Sequence, residues 1–96
     1  MSVFTGKQHA DILLAVAARA GRDARAAWRR ARATPNLANL RAAFRACVIA
    51  VQCVNRAAAD AHNAPLAPGL RAKAREINAA IETLKPKYSD AFLATL

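Results

Sequence analysis

Apolar residues recur along this chain at intervals of three and four, the spacing of one face of an α-helix. In the first such stretch, Gly6 to about Ala33, the residues Leu13, Val16, Ala17, Ala20, Ala24, Ala27 and Ala31 share one side at about 100° per residue. Thr5 with Gln8 three residues on forms a capping box that sets the start. Past Val16 the inner face is nearly all alanine until Trp28 at its margin. Such a face lets a neighbouring helix approach closely but contributes modest burial.

Thr34-Pro35 is expected to end this helix and begin the next, with Thr34 as N-cap and Pro35 at the first helical position. The second helix should run to about His62. Leu37, Leu40, Phe44, Cys47, Val48, Val51, Val54 and Ala58 form its apolar side, flanked by Ala43, Ala50 and Ala57 at heptad spacing. So broad an apolar arc predicts contact with two other helices. Arg41, Arg45, Gln52, Arg56 and Asn63 should make its solvent side, interrupted by Ile49. A turn this tight between helices of about 28 residues each predicts an antiparallel hairpin roughly 42 Å long.

A Pro-containing connection, residues 63–67, leads to a third helix near Pro68, where Leu70, Ala74, Ile77, Ile81 and Leu84 repeat with 4-3-4-3 spacing. This seam should pack back along the hairpin, covering first its open end near Ile12, Leu13, Leu14 and Val16. Pro86 predicts either a kink, since Tyr88, Phe92 and Leu96 stay roughly in phase with Leu84, or a separate short fourth helix. The expected fold is all-α: a long antiparallel hairpin plus a third helix, a three-helix bundle within one domain spanning residues 1–96.

Composition changes this picture in two ways. Hydrophobic residues make up 55% of the chain, but about half of them are alanine, so large core side chains are scarce. Eleven arginines, four lysines and six acids give a net charge of +9. That excess is clustered. Arg19, Arg22, Arg25, Arg29, Arg30 and Arg32 crowd the second half of the first helix, Arg41 and Arg45 lie just past the turn, and Asp23 alone opposes them. GC-rich codons would raise both alanine and arginine, yet would scatter the arginines rather than gather them at a hairpin tip.

Arg22, Arg25, Arg29 and Arg32 form a stripe within about 80° of arc, roughly 15 Å long, opposite the alanine seam. Guanidinium groups bind phosphate or carboxylate bidentately and stay charged at any relevant pH. Trp28 is either a partner anchor or, the favoured reading, a plug for the otherwise alanine-lined tip; the candidate partner-binding set is Arg19, Arg22, Arg25, Trp28, Arg29, Arg30, Arg32, Arg41 and Arg45. Base readout usually adds Asn, Gln, Ser or Thr beside arginine, and this face has almost none, so sequence-specific DNA binding is not expected.

The expected function is a small non-enzymatic binding protein, of adaptor or inhibitor type, that docks this face on an acidic protein or nucleoprotein surface. The alternatives are a backbone-only nucleic-acid binder and a homo-oligomeric, for instance dimeric, helical scaffold. No nucleophile is paired with a positioned base, and no cofactor motif is present. His9, Asp11, Asp60 and His62 gather at the hairpin's open end but match no metal-ligand spacing. Cys47 and Cys53, six residues apart on one helix, point about 120° away from each other and should remain free thiols, which favours a reducing, cytoplasmic setting. No run of eighteen apolar residues occurs, so no membrane span is expected.

Overall fold

The computed structural model describes residues 5–96 and contains three long helices packed against each other. Helix α1 spans Gly6–Ala33. The Thr5 hydroxyl accepts from the Gln8 backbone N–H and the Gln8 side chain accepts from the Thr5 N–H, completing the capping box. Helix α2 spans Leu37–Ala59 and α3 spans Ala67–Leu93, with a 3-10 segment over Ala61–Leu66 between them. The molecule is elongated, 52 × 27 × 18 Å.

The first turn differs from expectation in one detail. Asn36, not Thr34, caps α2, its Oδ1 accepting from the Asn39 N–H at 2.8 Å. Thr34 instead belongs to the end of α1, donating its N–H to the Arg30 carbonyl. Its own carbonyl accepts from Asn36 N and Asn39 Nδ2, both at 2.9 Å. Asparagine ranks above threonine as an N-cap, and starting the helix after Pro35 leaves that ring in extended backbone, where it costs nothing.

The far end of α2 is also shorter than its periodicity suggests. Asp60 leaves the helix and accepts from the His62 N–H, turning the chain into the 3-10 segment. That turn carries Asn63 inward. Asn63, expected on the solvent side, is buried and donates from Nδ2 to the Ala10 carbonyl at 3.2 Å. A helical continuation to His62 would have pointed it outward; the change of helix type reorients it. Beyond it α3 continues through Pro86 to Leu93 as one helix, with no separate fourth helix.

The core rests on alanine at exact heptad intervals. Ala10, Ala17, Ala24 and Ala31 of α1 are buried, as are Ala43, Ala50 and Ala57 of α2. Small side chains on both partners let the helices approach closely and gain dispersion contacts along their length. The larger fully buried residues come from α2 and α3. Leu40 and Leu84 are fully enclosed at the hairpin tip with Phe44, Tyr88 and Trp28 around them, and Val54 anchors the open end with Leu13, Leu14 and Leu70. Phe44 and Tyr88 meet edge to face, with centroids 5.3 Å apart.

Helix α2 lies centrally: α1 and α3 pack chiefly against it, and their backbones come near each other at few points. Leu13 and Leu14 are therefore covered, but Ile12 and Val16, expected under the third helix, are 41% and 48% exposed. Ile49 is equally open at 47%. Among the described residues α2 is the one helix long and apolar enough to cross a membrane by length and composition, a test that the central helix of a bundle also passes.

Candidate basic docking site

The arginines occupy α1 and the start of α2 because that is where the alanine seam leaves a wide outward arc. All eight, Arg19, Arg22, Arg25, Arg29, Arg30, Arg32, Arg41 and Arg45, are exposed. Among the described residues the one ion pair is Lys85–Glu82, at 2.7 Å on α3, so none of the eight is neutralised by a carboxylate of its own chain. Each guanidinium keeps its full donor set for an external anion.

The structure divides this set between two sides of the hairpin. Arg25 and Arg29 line a cleft of about 480 Å³ between α1 and α3, whose small-residue floor includes Gly21, Ala24 and Cys47. Arg32 lies over the Trp28 ring, its Cζ 4.7 Å from the centroid. Arg22, three residues before Arg25 and seven before Arg29, shares their side of the helix. Arg41 and Arg45 line a second, shallower depression of about 970 Å³ on the outer side of α2, together with Asp23 of α1. Arg19 and Arg30, four residues before and seven after Asp23, share its side. Eight arginines that read as one cluster thus flank two grooves.

Trp28 is half-buried against Ala31, Leu40, Ala43 and Leu84, so it fills the space that alanine leaves at the tip. Its Nε1–H is buried and meets no acceptor. A group packed this way sets the shape of the cleft's end rather than projecting as a free anchor, although its ring remains in the cleft lining.

Helix α3 contributes residues that charge counting alone passed over. Lys73, Glu76 and Thr83 line the α1–α3 cleft opposite Arg25 and Arg29. Their spacing of three and seven places them on one stripe, beside the apolar seam of Ile77 and Ile81, and that phase was the available signal. Glu76 tempers the cleft's positive charge, whereas Lys73 adds to it. Cys47 is buried at the cleft floor, and desolvation pushes its thiol above the ordinary value. Cys53, also free, is half-buried against the Ala17 and Val54 cluster toward the open end.

The open end gathers no comparable chemistry. Among the described residues no three of His, Cys, Asp and Glu come together as a metal site. Asp60 is engaged as a cap, and His62 lies so close to Gly6 that a Cβ there would collide with its ring. The chain matches no protein-family model, no curated protein and no solved structure.

Proposed function

We propose that this protein is a non-enzymatic helical binding module, of adaptor or inhibitor type and working in the cytoplasm, that docks its arginine-rich hairpin on an acidic protein or nucleoprotein surface. The observation that carries this is the absence of internal partners for eight arginines concentrated on one half of the molecule. Like charges three and four residues apart on a helix cost a few tenths of a kcal/mol per pair, and an unselected solvent face would interleave glutamate to relieve them. A rigid helix pair holds the guanidinium groups at fixed spacing, so less order is lost when they meet carboxylates.

A backbone-reading nucleic-acid binder is the second reading, favoured by the same positive charge. Two features weigh against it. The one tryptophan beside the stripe is packed into the tip rather than free to stack on bases, and the cleft carries Glu76 between its cations.

Titration with random duplex DNA, single-stranded DNA and RNA across a salt series separates the two. Phosphate contacts give a log–log salt slope of about −0.9 per neutralised phosphate on duplex. The acidic-protein reading expects weak binding with no loss specific to Arg22, Arg25, Arg29 and Arg32. Tight binding with a steep slope that flattens when those four become alanine would replace it with the second reading.

A further inference from the structure

Three of the exposed large apolar side chains, Ile12, Val16 and Ile49, lie away from the Arg22–Arg32 stripe. Ala20 of α1 and Ala42, Ala46 and Ile49 of α2 line the outer depression, and Ile12 and Val16 continue the Ala20 row at i,i+4 spacing beyond it, toward the open end. Ile12, Val16 and Ile49 are each more than two-fifths exposed, and Phe44 and, from α3, Tyr88 also line the depression. Ala20, Ala38, Ala42 and Ala46 make much of its lining small, so beside the Phe44–Tyr88 pair it can accept the ridge of another helix. Arg41 and Arg45 line it on α2, and Asp23 is the one carboxylate in its lining; by helical spacing Arg19 and Arg30 share the Asp23 side of α1.

On this basis we propose that the outer α1–α2 groove seats an acidic amphipathic helix of a partner protein, its apolar row on Ala42, Ala46 and Ile49 and its carboxylates on Arg41 and Arg45. This rests on the acidic-partner reading and locates its seat. Charge complementarity selects the occupant. A second copy of this chain would bring its own Arg41 and Arg45 against the same rim, with one aspartate per chain to offset them. A helix bearing glutamates beside its apolar stripe meets opposite charge on the rim and apolar surface between, the arrangement of helix-in-groove recognition.

The test uses a labelled synthetic helical peptide of about three heptads, with leucine at the a and d positions and glutamate at e and g. Two controls accompany it: the same peptide with lysine for glutamate, and a scrambled sequence of identical composition. Fluorescence anisotropy against the full chain should show the acidic amphipathic peptide binding, more weakly at about 300 mM than at about 50 mM salt, and neither control binding. Ile49→Gln and Arg45→Glu, both at exposed positions and checked for unchanged helical circular dichroism, should each weaken binding about tenfold or more.

If Ile49→Gln and Arg45→Glu bind like wild type while alanine at Arg22, Arg25, Arg29 and Arg32 abolishes binding, the seat is the α1–α3 cleft: the inference fails and the acidic-partner reading survives. Equal binding of the scrambled peptide reduces the surface to a charge attractor and overturns the inference. Sedimentation showing a dimer that Ile49→Gln dissolves assigns the groove to a second copy, which also overturns it. No binding of any acidic peptide, together with stripe-dependent binding of nucleic acid, sinks both.

Discussion

Replacing Ala50 with leucine probes the feature on which the fold depends, the contact of two alanine faces. Ala50 is fully buried in a cluster with Ala24 and Cys47, with Ala20, Ala46, Ile77 and Ile81 packed around it. All of these but the two isoleucines are small, and the alanines cannot retreat without moving a backbone. Overpacking a well-filled site costs about 1–3 kcal/mol. A domain of 96 residues has a total stability of about 5–15 kcal/mol. Each kcal/mol shifts the midpoint by about 4–8 °C at this size, so Ala50→Leu should lower Tm by about 4–24 °C. Ala26→Leu, at an exposed position of α1, is the matched control and should stay within about 0.5 kcal/mol of wild type. Thermal unfolding followed by circular dichroism gives both values. An Ala50→Leu protein as stable as Ala26→Leu would mean that α1 and α2 are not in close contact along the seam.

Three further expectations address other parts of the structure. Asn63→Ala removes the buried hydrogen bond to the Ala10 carbonyl, which keeps its helical partner within α1, and should cost about 0.5–1.5 kcal/mol in urea unfolding; a neutral result would place Asn63 at the surface. Pro86→Ala restores the N–H missing inside α3 at an exposed position and should raise the urea midpoint, by up to about 3 kcal/mol of stability with an unchanged m-value; a lowered midpoint would refute a continuous helix there. Because burial raises the Cys47 thiol above its ordinary value, the unfolded chain gives up this proton first as pH climbs, so the Cys47 contribution is constant below the ordinary thiol range and falls as pH rises through it. Stability should therefore decline more steeply in that alkaline window in wild type than in Cys47→Ala, and Cys47 should react with a thiol reagent more slowly than Cys53. Equal slopes and equal rates would contradict the burial.

The helices were legible because heptad alanines and leucines repeat over four turns or more, and Thr5 with Gln8 marks α1 to the residue. The exact start of α2 was not, since Thr34 and Asn36 are both competent caps and the choice falls to the Asn39 side chain reaching back to Thr34. Asn63 was misplaced because its orientation follows from Asp60 ending the helix, a change of geometry that helical phase cannot register. Of the candidate docking site, the clustered arginines could be read from spacing, whereas Lys73, Glu76 and Thr83 of α3 were passed over. Its division into two grooves could not, because that depends on α3 settling against α2 rather than in the middle of the hairpin, which leaves Ile12, Val16 and Ile49 open.

The central claim is that the basic hairpin recognises an acidic protein surface. Its most direct test is affinity capture from the source cell, with nuclease treatment, comparing wild type with a protein in which Arg22, Arg25, Arg29, Arg32, Arg41 and Arg45 are all alanine. The account predicts a protein partner that survives nuclease and is lost from the variant while helical circular dichroism persists. A partner retained by the variant would make these arginines a solvated face, and one released by nuclease would make nucleic acid the ligand.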